Sequence, residues 1–241
     1  MKRHAPQVPA PGDKRYLVLA FPRGLPRTVR NVSVVMMLVA GSNLLTHRVF
    51  NPSLRLDWAL PAPELYLQAE ASAYVGDVHT FTREVRAVAA QLDIPPEWLM
   101  AVMYAESRFD PHVLNHKGSG AAGLIQFMPA VAQELGTSAE QLRAMSAVDQ
   151  LEYVFLYLNN VRLRNGPFQS LTDLYLGILF PRARTQDFCY TLYAKPSLQY
   201  TQNAGLDEDK DGSVTISDVD RHLKRLFPTA YLVQKPGVAT H

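Results

Sequence analysis

Apolar positions fall into helical stripes from Thr80 onward. Phe81, Val85, Val88, Ala89 and Leu92 recur at the spacing of one helix face, and "DIPPEW" closes that helix and opens the next, because proline is accepted in a first turn and Glu97 suits its positive end. The second helix, about 96 to 109, puts Leu99, Val102, Met103 and Glu106 on one stripe and stops at Pro111. Further helices are predicted from Pro129 to Leu135 with Gly136 as the stop, from about Ala147 to Arg164 with Leu151, Val154, Phe155, Leu158 and Val161 in register, and from Ser170 as N-cap onward. The region 78 to 200 reads as mostly α-helical.

Ahead of it the pattern is different. Residues 1 to 13 are Pro-rich and polar, and "NPSLRLDWALPAPE" (51 to 64) has three prolines and no period, so it reads as a linker. Between them "VSVVMMLVA" (32 to 40) is too short to span a bilayer, for which roughly 20 residues are needed. Two readings stand for it: a signal or anchor, since "RTVRN" precedes it and Val39-Ala40-Gly41 follows, or a strand paired with "YLVLAF" (16 to 21). Three regions result: a basic arm, anchor or strand region with linker (1–64), a helical domain (65–200), and a C-terminal segment (201–241).

Charge sharpens that division. The first 60 residues hold nine Lys/Arg against two Asp/Glu, so a net +2 over 241 residues hides a basic front and an acidic body. A basic front suits an anionic surface such as lipid or cell-wall polymer, which makes membrane association through this segment an expectation; nothing points to nucleic acid. The single cysteine, Cys189 in "DFCYTLY", cannot form an intramolecular disulfide and reads as a small core residue.

One residue conflicts with its stripe. Glu106 shares a face with Leu99, Val102 and Met103, and a carboxyl held there loses hydration, which raises its pKa. A glutamic acid protonated near neutral pH is what general-acid cleavage of a glycosidic bond requires. The structural alternative is a helix-end charge or an ion pair with Arg108. After the helix, Gly118, Gly120 and Gly123 permit a tight backbone path, and Gln126 offers a donor and an acceptor between two apolar neighbours.

Read in order, Glu106-Ser107, Ser119-Gly120-Ala121-Ala122-Gly123, Leu124-Ile125-Gln126, Phe127-Met128-Pro129 and Leu135-Gly136 resemble the lytic transglycosylase family of the goose-type lysozyme superfamily. Weaker similarity continues through "MSAVDQLEYV" and "LTDLYLGILFP". The resemblance implies a mainly α, lysozyme-like fold and peptidoglycan glycan strands as substrate. It gives Glu106 the role of sole acid and base, cleaving between N-acetylmuramic acid and N-acetylglucosamine with closure of a 1,6-anhydro ring. It makes Ser107, Gln126, Met128, Tyr175, Tyr200 and Asn203 candidates for substrate binding, with Ser107 either orienting Glu106 or ending the helix. The family's Ala-Tyr-Asn-Ala-Gly string is missing, so the tyrosine facing the acid is either Tyr175 or Tyr200. That departure resembles a phage and prophage branch, implying a phage tail, baseplate or envelope assembly as partner, and a virion-associated, periplasmic or cell-envelope location. A hydrolytic muramidase and a silent glycan-binding module of a tail or secretion apparatus are the competing functions. Asp110, a possible second carboxylate, precedes Pro111 and is expected to satisfy local backbone donors instead.

A second motif follows. "DEDKDGSVTISD" places Asp207, Asp209 and Asp211 at positions 1, 3 and 5 of the 12-residue EF-hand loop, Gly212 at the sharp turn, the Ser213 carbonyl at 7, Thr215 at 9 and Asp218 at 12. Hard oxygens at this spacing predict a structural Ca²⁺ ion, although Asp218 stands where a longer glutamate is usual; the alternative is an acidic turn without an ion.

Overall fold

The computed structural model describes residues 63–115 and 117–235. The arm and its apolar stretch at 32 to 40 lie outside the described residues, and among those described no helix is long and apolar enough to cross a membrane. A short turn of helix, α1 (Gln68–Ala71), leads to α2 (Val78–Leu92), which is opened by Asp77 accepting from the Thr80 amide at 3.0 Å. The buried residues of α2 include the stripe expected from its periodicity: Phe81, Val85, Val88, Ala89 and Leu92.

Helix α3 (Pro96–Ser107) is buried almost all round through Trp98 to Met103. It ends earlier than Pro111 demands, because Arg108 and Phe109 both adopt left-handed φ (56° and 67°) and turn the chain sharply. Phe109 then packs edge-on against Phe81 with ring centroids 6.2 Å apart. Arg108 points outward with its guanidinium 4.1 Å from the centre of the Tyr104 ring, so it is not an ion partner for Glu106.

Next come α4 (Pro129–Glu134) and α5 (Ala139–Ala144). The second of these was not predicted; its signal is Ser138, which accepts from the Gln141 amide as N-cap just after the Gly136 stop. Helix α6 (Ala147–Asn165) packs across α2, and α7 (Leu171–Leu179), capped by Ser170, packs on α3. These four helices enclose one apolar core.

The C-terminal part joins the same core. Strands β1 (Thr191–Ala194) and β2 (Ser213–Thr215) pair antiparallel, α8 (Leu198–Asn203) packs on both, and α9 (Ile216–Leu226) and α10 (Pro228–Leu232) follow. Val214, Val219, Leu223, Phe227 and Ala230 are buried with α3 and α7, so residues 201–235 build on the helical domain rather than forming a separate core. Trp98 reaches across to donate its indole N–H to the Ala230 carbonyl at 3.1 Å. Cys189 corrects the sequence expectation: it is exposed, not buried. The backbone of its segment docks on the start of α9 through the Phe188 and Tyr190 carbonyls, which leaves the side chains of Phe188, Cys189 and Tyr190 facing outward.

Candidate active site

The turn after α3 is built by backbone pairing rather than by a regular element. Asn115 donates to Ala121, Gly123 to Val113, and Ala122 and Phe127 exchange both bonds at 3.0 and 2.8 Å. Gln126 sits in the left-handed region (φ 53°), an unfavourable place for a residue with a Cβ, and there its side chain lines a groove. Gly123 has φ 78°, and a Cβ there would lie 2.5 Å from Gln150 Oε1. Gln150, fully buried on α6, explains the close approach: it accepts from the Leu124 amide at 2.8 Å and donates to the Pro111 and Leu142 carbonyls, both at 2.7 Å. It is the one polar residue on the buried face of α6, which is the sequence signal that could have revealed it.

Ser107 belongs to this scaffold and not to the groove. It is buried, and its hydroxyl is held by the Met103 carbonyl at 3.1 Å and the Leu124 carbonyl at 2.9 Å, tying the helix end to the turn.

The groove, about 390 Å³, is lined by Glu106, Gln126, Met128, Tyr193, Asn203 and neighbouring polar residues of the turn and α8. Glu106 is half-buried, with one edge open to the groove and the rest of its side chain hemmed in by protein. Burial pushes its carboxyl up to about 7, and a hydrogen bond from Tyr175 pulls in the opposite direction. Tyr175, buried on α7, has its own phenol pushed well up, first by burial and then by the neighbouring Glu106 charge, so it stays a donor.

The structure therefore brings Tyr175 to the acid and takes Tyr200 elsewhere. Tyr200 donates to Asp207 Oδ2 at 2.7 Å. Two further tyrosines sense Glu106 and were not singled out from sequence. Burial, then the Glu106 charge, pushes Tyr157 up to about 12 and also raises Tyr193. Tyr157 donates to the Gly177 carbonyl at 3.0 Å, and Tyr193 to the Leu179 carbonyl at 3.3 Å. A bulge between Thr191 and Tyr193 shifts the pairing register, and Tyr193 faces the groove while Leu192 is buried. Asp110 is occupied as an acceptor for the His112 amide at 2.8 Å.

Taken together, a carboxyl that is half protonated near neutrality sits at the edge of an open groove of mixed polar and apolar lining, and Glu106 is the one carboxylate lining it among the described residues. Residues 84–154 match the Transglycosylase SLT domain. The SLT segment runs from within α2 into α6, so it contains Glu106, the glycine turn, Gln126 and Gln150 but neither Tyr175 nor Tyr193. At family level the match supports peptidoglycan-lytic chemistry and a lysozyme-like helical fold. No curated protein matches the chain.

A second cavity of about 470 Å³ lies beside Asp207, Tyr200 and Lys195, outside the SLT segment. Of its charged groups Glu208 is paired with Arg225 and with His222, and neither of its carboxyls, Asp207 and Glu208, is shifted toward neutrality. Adjoining it, Asp207, Asp209 and Asp211 each bring a carboxylate oxygen within 4.8 Å of the others. Thr215 and Asp218 are engaged differently: they form the capping box of α9, with Thr215 Oγ1 accepting from the Asp218 amide and Asp218 Oδ2 accepting from the Thr215 amide. Ser213 donates its amide to Asp211 Oδ1 at 2.7 Å.

Proposed function

We propose that the chain is a peptidoglycan lytic transglycosylase in which Glu106 alone serves as acid and base. The observation that carries this reading is a desolvated carboxyl at about 7 in a groove lined by no second carboxylate among the described residues. Protonated Glu106 delivers its proton to the oxygen joining N-acetylmuramic acid to N-acetylglucosamine as that bond breaks. The resulting carboxylate faces the positive charge developing at C1, then takes the proton of the C6 hydroxyl as that oxygen bonds to C1. The proton lent in the first step is recovered in the second, and no water enters the product.

Tyr175 steadies the carboxylate between these steps, since its hydrogen bond favours the ionised form that burial disfavours. Gln126, Asn115 and Asn203 offer amides to the N-acetyl groups, and Met128, exposed on the rim, offers an apolar contact. The cell envelope is the compartment that holds this substrate.

Mass spectrometry of the sugars released from purified peptidoglycan tests the chemistry. Muropeptides lighter by one water, with no new reducing end, are expected. Predominantly reducing muramic acid ends would replace this reading with that of a hydrolytic muramidase. The pH profile provides a second check. The active form of Glu106 carries its proton, so kcat/KM is expected to be level below about pH 6 and to decline toward about tenfold per unit above 7. An activity that keeps rising to pH 9 would be incompatible with Glu106 as the acid.

A further inference from the structure

The acidic turn after α8 contains an atom that the folded chain leaves unserved. Asp207 is 6% exposed; its Oδ2 accepts from the Tyr200 hydroxyl and the Gly212 amide, while its Oδ1 is buried with no hydrogen-bond partner. A buried carboxylate oxygen without a donor is strongly disfavoured, and such an atom needs a cation or a proton. It lies in the residue that, with Asp209 and Asp211, converges three carboxylates.

The far side of this cluster is held by a tethered cation. Arg221 on α9 reaches Asp209 at 2.7 Å and Asp218 at 2.5 Å. The guanidinium thus neutralises the third and twelfth loop positions and does not reach the first. The donors are carboxylate oxygens, with no thiol among them, and the imidazole of His222, beside them, is bonded to Glu208. Hard oxygen donors in an irregular loop suit Ca²⁺, which tolerates six to eight ligands, better than Mg²⁺, which demands a regular octahedron.

What makes the turn consequential is its connection to the groove. Tyr200, bonded to Asp207, lies in α8, and the same short helix lends Gln199, Gln202 and Asn203 to the lining of the Glu106 groove. From α8 the Gln202 side chain donates to the Lys117 carbonyl at 3.2 Å, and the Lys117 ammonium donates to the Gln202 carbonyl. This two-way clasp joins the α8 side of the groove to the glycine turn on the other.

We infer that residues 207–218 form a Ca²⁺ site, with Arg221 as the built-in cation that the metal displaces, and that filling it fixes α8 and so the groove's clasped side. Asp207, Asp209 and Asp211 are the anchoring ligands, and Asp218 joins them once released from Arg221. The regulatory half of the inference rests on the groove being the substrate site; the metal half does not.

The test uses the full chain and Ca²⁺ itself, with Mg²⁺ and a chelator as controls, and no substrate. Titration calorimetry is expected to show one site, and Ca²⁺ at about 100 times its Kd is expected to raise Tm by about 5–10 °C. Amide exchange across 198–206 should slow on addition of the metal. Asp207→Asn should remove all three responses; should that buried variant fail to fold, Asp211→Asn, on the exposed side of the loop, removes them while keeping the fold. Arg221→Gln should tighten Ca²⁺ binding by up to about tenfold, the magnitude of losing one or two ion pairs made by a solvent-exposed guanidinium. Absence of heat and of a melting shift would overturn the site, unchanged exchange at 198–206 despite binding would overturn the link to the groove, and Arg221→Gln binding no tighter would overturn the displacement. Failure of the transglycosylase chemistry would leave every one of these readouts standing.

Discussion

Glu106→Gln is expected to leave a protein that folds, is more stable than the parent above pH 7, and no longer cuts peptidoglycan. The amide keeps the shape of the carboxyl and can still accept from Tyr175, so the groove is preserved. It cannot deliver a proton, and general acid catalysis alone is worth about 10²- to 10⁴-fold, more where one group performs both transfers. The stability gain has a definite sign. Glu106 is raised from 4.5 in the unfolded chain to about 7 in the fold, so its contribution is fully present below pH 4.5 and is lost as pH rises through 7. Glutamine has no such loss. At pH 8 the variant should therefore be stabilised by about 3 kcal/mol relative to the parent, or about 6–12 °C in Tm, and at pH 4 by almost nothing. Paired melts at the two pH values and a turnover assay check both halves. More than about a tenth of parental turnover, or equal stability at both pH values, would remove Glu106 from its role.

Gln150→Leu is expected to be the most destabilising single substitution near the groove. Leucine fills the volume but strands the Leu124 amide and the Pro111 and Leu142 carbonyls, all bonded to Gln150 at 2.7–2.8 Å in the interior. Each buried polar group left without a partner costs about 1–3 kcal/mol, so a loss of about 3–5 kcal/mol is expected after some relief by water. The groove should suffer with it, because Leu124 is two residues from Gln126 and the turn loses its anchor on α6. Denaturant unfolding gives the number, and a loss below 1 kcal/mol would show that the turn holds itself. Gly123→Ala should act through the same contact, since its methyl group would meet Gln150 Oε1 in a backbone region that alanine avoids.

The sequence carried the local half of this site and little of the distant half. Glu106 could be placed against the core because four residues at helical spacing share one face, a property of α3 alone. Ser138 marked α5 just as locally, but the Gly136 stop drew attention to the end of one helix rather than the start of another. The choice between Tyr175 and Tyr200 could not be made from spacing, because both lie about 70 or more residues from Glu106 and only packing of α7 on α3 selects the first. Cys189 went the other way: its apolar neighbours suggested burial, yet pairing of the segment's backbone with α9 turns the side chains out. The acidic turn was legible as a spacing, whereas Arg221, placed one helical turn beyond Asp218 to bridge two of its carboxylates, emerges from the shape of α9.

The indole of Trp98 donates across 132 residues to Ala230, and Tyr104 packs edge-on against Phe227 at 6.0 Å. Both residues belong to α3, which carries Glu106 in its last turn. A ribosome that has released the SLT segment has therefore released Glu106 but not all the packing of its helix, and α3 lacks one contact to each of these two aromatic side chains until residues 227–230 emerge. The order of synthesis delays the seating of this helix: the element bearing Glu106 is held in part by residues 227–230, well beyond the SLT segment in the chain. Contacts this far apart in sequence also form late in folding, since the loop between them must close first. Glu106 thus emerges well before the contacts that seat its helix.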